Sequence, residues 1–198
     1  MRFYDWKMDA IKDGRGYHMD IGAFSTGVTG GGNGTVMDQD QPEGIVSVPT
    51  GTSIIPIRID VTIQVPLLVA DSEENEILAA VDVAAEAAGT TGIAGATAET
   101  PVNMKKGHTN TSLCSCYSAS EANWTNPTLG MELIRTTITG DVQSTAGVMW
   151  TPHKLLFIPT FPPILDGPCA LYIYWGGTVA QTGFAQIEWL EYPTTYFR

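Results

Sequence analysis

Charged residues are scarce in this sequence, and basic residues are the scarcer kind. Asp, Glu, Lys and Arg make up 16% of the 198 residues, against about 25% in ordinary globular proteins. Ten basic and 21 acidic residues give a formal net charge of -11, and Lys105 and Lys106 are the only adjacent basic pair. Nucleic acids and anionic lipid surfaces both require clustered cations, so we expect neither a nucleic acid nor a membrane as a partner.

The sequence has no apolar run of the roughly 20 residues that a membrane-spanning helix needs. Residues 1–11 mix aromatic and charged side chains and lack the apolar core of a secretory signal. We therefore expect a protein that is soluble, or that joins an assembly built from soluble parts.

Cysteine and histidine are rare, with three of each. Cys114 and Cys116 would share one face of a strand with His108 close by, but a tetrahedral metal site needs a fourth ligand and no motif spacing supplies it. Together with Cys169 the cysteines are too few for a disulfide framework in a chain of this length. We expect buried thiols, and no metal or other cofactor.

Motifs of enzymatic catalysis are absent as well. There is no Gly-x-Ser-x-Gly elbow, and no histidine lies in a catalytic motif. The glycine-rich run at residues 27–35 is not followed by the Gly-Lys-Ser/Thr of a phosphate-binding loop. Acidic residues could supply the carboxylate pair of a glycosidase, but the sequence selects no pair. We therefore expect a protein that is not an enzyme.

The N-terminal part is distinguished by its glycine content. Residues 1–44 contain a glycine-rich run and then a short polar run. Glycine-dense sequence loses much conformational entropy on ordering and cannot supply a packed face by itself. We predict an extended N-terminal arm over residues 1–44, with Tyr4, Trp6 and Tyr17 as its contacts to other subunits, and a body over residues 45–198.

The strictest periodicity lies at residues 55–69. Every odd position there is aliphatic, whereas the even positions include polar residues and two prolines. This alternation is typical of a strand with one face on a core and the other in water. A strand of this length would exceed most strands, so Pro56 and Pro66 predict an edge, a bulge or a bend.

Residues 71–88 allow two interpretations. Asp71 and Glu74 could form the capping box of a helix, and the alanine-rich continuation suits a helix. An apolar alternation at every second position indicates a strand instead. Because the neighbouring segments are strand-like, we favour a strand that follows a turn. The alternating residues are Ile77, Ala79, Val81, Val83 and Ala85.

The rest of the chain contains short β-like runs separated by turn residues. Several short strands without helical interludes are typical of a sandwich or jelly roll. We predict an all-β fold, a jelly-roll-like antiparallel β-sandwich with an extended N-terminal arm, in which the last two runs pair across Gly176 and Gly177. The runs cover residues 111–118, 129–139, 147–150, 154–158, 170–175 and 184–192.

Four tryptophans lie in or between these runs: Trp124, Trp150, Trp175 and Trp189. Aromatic residues in strands are more often core or interface anchors than ligand-binding groups. Trp124 differs because it lies in a predicted loop between Asn123 and Thr125. We therefore keep Trp124 as a candidate for stacking on a glycan ring.

Three stretches of the sequence resemble virion structural proteins of tailed bacteriophages. They are DQDQPEGIVSVPTGT at residues 38–52, TPVNM at 100–104 and IEWLEY at 187–192, so the likeness spans residues 38–192. The resemblance implies a jelly-roll capsid decoration (cement) protein, made in the host cytoplasm, that binds the major capsid protein on the capsid exterior and forms a homotrimer. The pattern defines no functional residues.

The composition and charge of the chain are those expected of a structural subunit of a capsid shell. Faces with few charges associate without the cost of desolvating ions, and an acidic body suits the outside of a shell, away from the genome. Two alternatives stay open. One is a tail, head-to-tail or fibre component of the same particle, and the other is a carbohydrate-binding jelly-roll receptor-binding module that uses loop aromatics such as Trp124.

Overall fold

Strands account for most of the described structure. The computed structural model describes residues 5–23, 25–30, 37–63, 74–83, 96–119, 128–139, 152–177 and 181–197. The elements are α1 Trp6–Lys12, β1 Gly16–Ile21, β2 Val28–Thr29, β3 Gly44–Val48, β4 Thr52–Ile63, β5 Glu74–Asp82, β6 Ala96–Glu99, β7 Val102–Asn103, β8 Ser115–Ala119, β9 Leu129–Thr139, β10 His153–Phe157, β11 Leu165–Asp166, β12 Cys169–Gly177, β13 Thr182–Pro193 and a 3₁₀ helix at Thr194–Phe197.

The strands form two antiparallel sheets that pack face to face. One sheet has the order β10-β4-β13-β1-β7, with β11 also paired to β4 and β2 to β13. The other has the order β6-β8-β3-β12-β5-β9. Side chains from both sheets meet in one buried cluster. The predicted all-β antiparallel sandwich is therefore confirmed.

Two tryptophans belong to this core. Trp175 on β12 and Trp189 on β13 are fully buried, and Ile59 and Ile187 lie in the same cluster. Burial of a large aliphatic or Phe side chain contributes about 1.5–3 kcal/mol to folding. The prediction that strand tryptophans anchor the core is confirmed for these two, whereas Trp150 lies outside the described residues.

The last two long strands, β12 and β13, belong to different sheets. β12 pairs with β3 and β5, while β13 pairs with β1 and β4. The predicted hairpin across Gly176 and Gly177 is therefore wrong. These glycines extend β12, where they pair with Glu76 and Asn75 of β5. The two aromatic-rich strands bury their side chains from opposite sides of the core, which edge-to-edge pairing would not achieve.

β4 confirms the strand predicted from residue 55 onward, but only part of it faces the second sheet. Ile59, Val61 and Ile63 lie in the core between the sheets, as the alternation predicts. Ile55 and Ile57 pack instead in a separate cluster with side chains of α1 and β13. The prediction that the odd positions share one face on a single core is therefore wrong for these two residues.

A β-bulge explains this change of face. Arg58 pairs with Glu188, but the next pair along is Pro56 with Trp189, so Ile57 has no partner on β13. One extra residue on a strand reverses which side chains face each side. A bulge was among the features that Pro56 predicted, and it is confirmed. Residues 64–69, with Pro66, lie outside the described residues.

The strand interpretation of residues 71–88 is confirmed for residues 74–82, while residues 71–73 and 84–88 lie outside the described residues. β5 covers residues 74–82 and pairs with β12 on one side and β9 on the other. Ile77, Ala79 and Val81 face the core between the sheets. β5 ends at Asp82, and Val83, the next residue of the alternation, is 56% exposed.

β1 changes the interpretation of the N-terminal residues. It lies between β13 and β7 in the seven-stranded sheet and pairs with β13 at six positions. Tyr17, Met19 and Ile21 are buried in the core. The prediction of an extended arm is therefore wrong for residues 16–21, which belong to the sandwich. The apolar alternation within residues 16–21 favours a strand, although a glycine-rich run follows it.

Candidate functional site

Three segments meet where β1 and β4 begin and β13 ends: α1 with its following turn, the loop at residues 104–114, and the 3₁₀ helix. The Asn103 amide donates to the carbonyl of Gly14 at 2.8 Å, and the Met104 N–H donates to the carbonyl of Gly16 at 2.9 Å. Gly14 has a φ of 73°, and a Cβ at this position would overlap the ring of His108. Gly14 thus permits the loop to lie against the turn after α1.

An aromatic cavity of about 210 Å³ opens between α1 and the 3₁₀ helix. Tyr192 and Tyr196 stack with ring centres 4.9 Å apart, and the edge of Phe197 contacts both rings. Tyr192 is buried, but Tyr196 is 64% exposed and Trp6 is 37% exposed. Asp9 and Asp13 also line the cavity.

Arg15 lines both this cavity and a second one. Its guanidinium carbon lies 5.0 Å from the ring centre of Tyr192 and 5.7 Å from that of Tyr196, so the cation rests on two aromatic faces. Within the described ranges no carboxylate lies at ion-pair distance from this guanidinium, and the guanidinium donates no hydrogen bond. Its N–H donors are therefore open to a ligand.

The second cavity, of about 530 Å³, is open, and Asn110, Thr111 and Leu113 line it beside Arg15. The Tyr17 hydroxyl donates to the Thr111 carbonyl at 3.1 Å. Burial, and then the nearby Glu191 carboxylate, raise the pKa of Tyr17. We call the two cavities together the Arg15 groove.

Glu191 holds the loop that borders the second cavity. Its carboxylate accepts hydrogen bonds from the Ser112 hydroxyl, from the Leu113 N–H at 3.0 Å and from the Trp189 indole N–H at 2.9 Å. The residue is 8% exposed. A buried carboxylate needs such donors to replace its lost hydration. Glu191 therefore positions the loop.

The segments around the groove collect half of the ten basic residues in the chain. They carry four acidic side chains, Asp5, Asp9, Asp13 and Glu191, so they are not acidic overall, in contrast to the chain as a whole. The Lys105 ammonium also donates to the Lys12 carbonyl at 2.5 Å, which ties two basic segments together. The basic residues are Lys7, Lys12, Arg15, Lys105 and Lys106.

A second notable surface lies at the edge of the same sheet. We define the apolar edge as Leu156, Ile158, Phe161 and Ile164, which are 55%, 58%, 91% and 48% exposed. Leu156 belongs to β10, the outermost of the described strands on this side, and the others lie in the connection to β11. Large apolar side chains grouped in this way mark an interaction surface.

The cysteines are buried and free, as expected from the sequence. Burial raises the pKa of Cys114 well above its usual value and that of Cys169 to about 12. No group of three or more metal-ligating side chains occurs within the described ranges. Burial lowers the pKa of His153, whose ring lies 3.3 Å from the Thr136 hydroxyl.

The structure describes two of the four site residues that were proposed from the sequence, Tyr17 and Trp6. Tyr17 is a core residue, 3% exposed and stacked on Trp189, so its role as an arm contact is wrong. Trp6 is partly exposed and lines the aromatic cavity. Tyr4 and Trp124 lie outside the described residues, and their roles stay predictions.

The residues of the groove were not found from the sequence. Arg15, Asn110 and Tyr196 lie about 90 residues apart along the chain, and no local motif joins them. Phe161 had a local signal, since it is an apolar residue among Pro159, Pro162 and Pro163 in a predicted connection between strands.

Comparisons with protein-family models, curated proteins and solved structures gave no match for this chain. Among the described helices, none is long and apolar enough to cross a membrane. The surfaces of the chain itself are therefore the physical basis for proposing a function.

Proposed function

We propose that this chain is a non-enzymatic structural protein of a tailed-bacteriophage virion, and specifically a capsid decoration protein. It binds the outer surface of the head as a homotrimer and stabilises the shell. The resemblance over residues 38–192 supplies the class of protein. The apolar edge supports the proposal physically.

The apolar edge is suited to lasting contact with another protein. A phenylalanine side chain buries roughly 150–250 Å² on association, and Phe161 is 91% exposed. Pro159, Pro162 and Pro163 restrict the backbone around Phe161, which lowers the entropy that the connection loses on binding. A protein whose role is to hold neighbouring subunits together requires such a surface.

The sandwich behind this edge provides a stiff support. β10 and β11 both pair with β4, and β4 pairs with β13 over eleven positions. The strands that flank the apolar edge are therefore anchored on β4, which is an interior strand of the sheet. The net charge of -11 suits the exterior of a shell and opposes contact with packaged DNA.

The test is binding to purified heads that lack the protein. We expect saturable binding of the chain and a higher unfolding temperature of the decorated heads. Phe161→Ser should weaken binding at least tenfold, because it removes the largest apolar contact of the edge. Val102→Ser is the matched control, since Val102 is 64% exposed on β7 at the opposite side of the same sheet.

Two results would contradict this proposal. One is a failure of the unaltered chain to bind heads at micromolar concentration, and the other is equal binding by the Phe161 and Val102 variants. Immunolabelling of intact particles separates the head from the tail or fibre location. A carbohydrate-binding role is the second candidate, and the Arg15 groove is the observation that favours it.

A further inference from the structure

We propose that the Arg15 groove binds an acidic saccharide, with a sugar ring on the exposed aromatic side chains and a sugar carboxylate on the Arg15 guanidinium. This inference does not rest on the shell role, since the residues that carry it are distinct from the apolar edge.

The aromatic cavity has the chemistry of a sugar platform. Trp6 and Tyr196 are partly exposed to water. The ring centres of Tyr192 and Phe197 lie 4.9 and 5.2 Å from that of Tyr196 and hold its ring in place. A sugar ring presents apolar C–H groups on one face, and such groups pack on an aromatic ring that is already held in place. The volume of about 210 Å³ suits one ring.

Arg15 supplies the recognition of charge. Its guanidinium is held over Tyr192 and Tyr196, and within the described part of the chain it has no carboxylate partner and donates no hydrogen bond. A guanidinium that is stacked in advance loses little entropy when it forms two parallel hydrogen bonds to a planar carboxylate. A neutral sugar has no carboxylate to accept these two hydrogen bonds.

The remaining groups suit hydroxyls. Asp9 and Asp13 line the aromatic cavity and can accept hydrogen bonds from sugar hydroxyl groups, while Asn110 in the second cavity can both donate and accept. Because Arg15 lines both cavities, the groove accommodates at least two linked sugar residues.

The probe is tetragalacturonate, and its comparison compound is the same tetrasaccharide with the carboxyl groups reduced to alcohols. Binding is measured by calorimetry and by ligand-detected NMR with the full chain. We expect a dissociation constant of about 0.1–1 mM for tetragalacturonate and at least tenfold weaker binding of the reduced compound. In the NMR experiment, saturation of the aromatic side-chain protons of the protein should transfer to the sugar ring protons of tetragalacturonate.

Variants locate the binding in the groove. Arg15→Lys keeps the charge but loses the planar pair of donors, so we expect at least tenfold weaker binding of tetragalacturonate. Tyr196→Ala should weaken both saccharides. Arg135→Lys is the matched control, because Arg135 is an exposed arginine of the other sheet that is paired with Glu76 and Glu132.

Three results would overturn the proposal: no binding of tetragalacturonate at millimolar concentration, equal binding of the reduced compound, or unchanged affinity of Arg15→Lys. Thermal unfolding of each variant shows whether a loss reflects a folding defect, and a folded Arg15→Lys chain with lost affinity supports the proposal. Phe161→Ser should bind the saccharide normally and Arg15→Lys should bind heads normally, so failure of this site and failure of the shell role are distinguishable.

Discussion

Buried carboxylates in this protein act as acceptors for main-chain N–H groups. Glu43 is 2% exposed and accepts the N–H of Trp175 at 2.7 Å. Asp82 is 3% exposed and accepts the N–H of Thr128 at 3.1 Å and the Tyr172 hydroxyl at 3.3 Å. A chain with 21 acidic residues thus uses some of them to accept hydrogen bonds from main-chain N–H groups, both within β12 and just before β9.

Glu191 allows this role to be measured. Glu191→Gln replaces an ionised acceptor of three hydrogen bonds with a neutral amide, and one end of the amide is a donor. We expect the free energy of unfolding to fall by about 2 kcal/mol, the range for a hydrogen bond to a charged group. Urea unfolding at neutral pH measures it. Glu132→Gln is the control, because the Glu132 side chain is 48% exposed in a surface ion pair; equal losses in both variants would contradict the role given to Glu191.

At the scale of elements, β4 shows how an interior strand accommodates a proline. Its neighbours β10 and β11 pair with residues 59–63 and 53–54, so Pro56 lies in the gap between them. A missing N–H has little cost where no partner strand is present. The bulge beside Pro56 then presents Ile55 and Ile57 to α1, which is how the helix is held on the sheet.

Deletion variants test whether β1 is part of the sandwich. Removal of residues 1–40 takes away a strand that pairs with β13 at six positions and with β7 on its other side. We expect no cooperative unfolding transition for that variant, because Trp189 loses its stacked partner Tyr17 and the sheet is opened in its interior. Circular dichroism and urea titration check this.

Removal of residues 1–12 provides the comparison. This shorter deletion takes away α1 and leaves β1 in place, so we expect a folded sandwich of lower stability. If the longer deletion retains a cooperative transition, residues 16–21 are dispensable to the fold and the arm interpretation regains support.

At the scale of the whole molecule, the groove and the apolar edge divide the surface into two kinds of chemistry. Five of the ten basic residues gather around the groove, although the chain has a net charge of -11. The apolar edge lies beside β10, whereas the groove lies where β1 begins. The saccharide site and the shell contact that we propose therefore use separate residues.

Stability should decrease at alkaline pH. Burial raises the pKa of Cys169 from its usual 9.0 to about 12, and it also raises those of Cys114, Cys116, Tyr172 and Tyr174. A group whose pKa is higher in the folded state stabilises the fold fully below its unfolded pKa, and this contribution is lost as pH rises. We expect the free energy of unfolding to fall progressively from about pH 9 to pH 12.

Urea titrations at pH 7, 9 and 10.5 measure this dependence. Cys169→Ala removes one of the ionising groups, so its stability should fall less steeply with pH than that of the unaltered chain. A free energy of unfolding that is constant from pH 7 to pH 10.5 would contradict the expected deprotonation of buried thiols and phenols.

The sequence alone determined the class of fold and the composition of the core. The apolar alternation at Ile59, Val61 and Ile63, and again in β5, indicates which side chains are buried. A strand is the conformation that places every second side chain on one face, where the row can be buried. The same reasoning would have identified β1 from Tyr17, Met19 and Ile21, had the glycine-rich run after it carried less weight.

The tertiary structure alone decided which sheet each strand joins and what lies on the surface. The separation of β12 from β13, the reversal of face at Ile57, and the meeting of Arg15 with Tyr196 depend on contacts between residues far apart in sequence. A local pattern records the burial of a side chain but not the identity of the partner that buries it. For that reason the layered body was predictable, whereas the groove and its arginine were not.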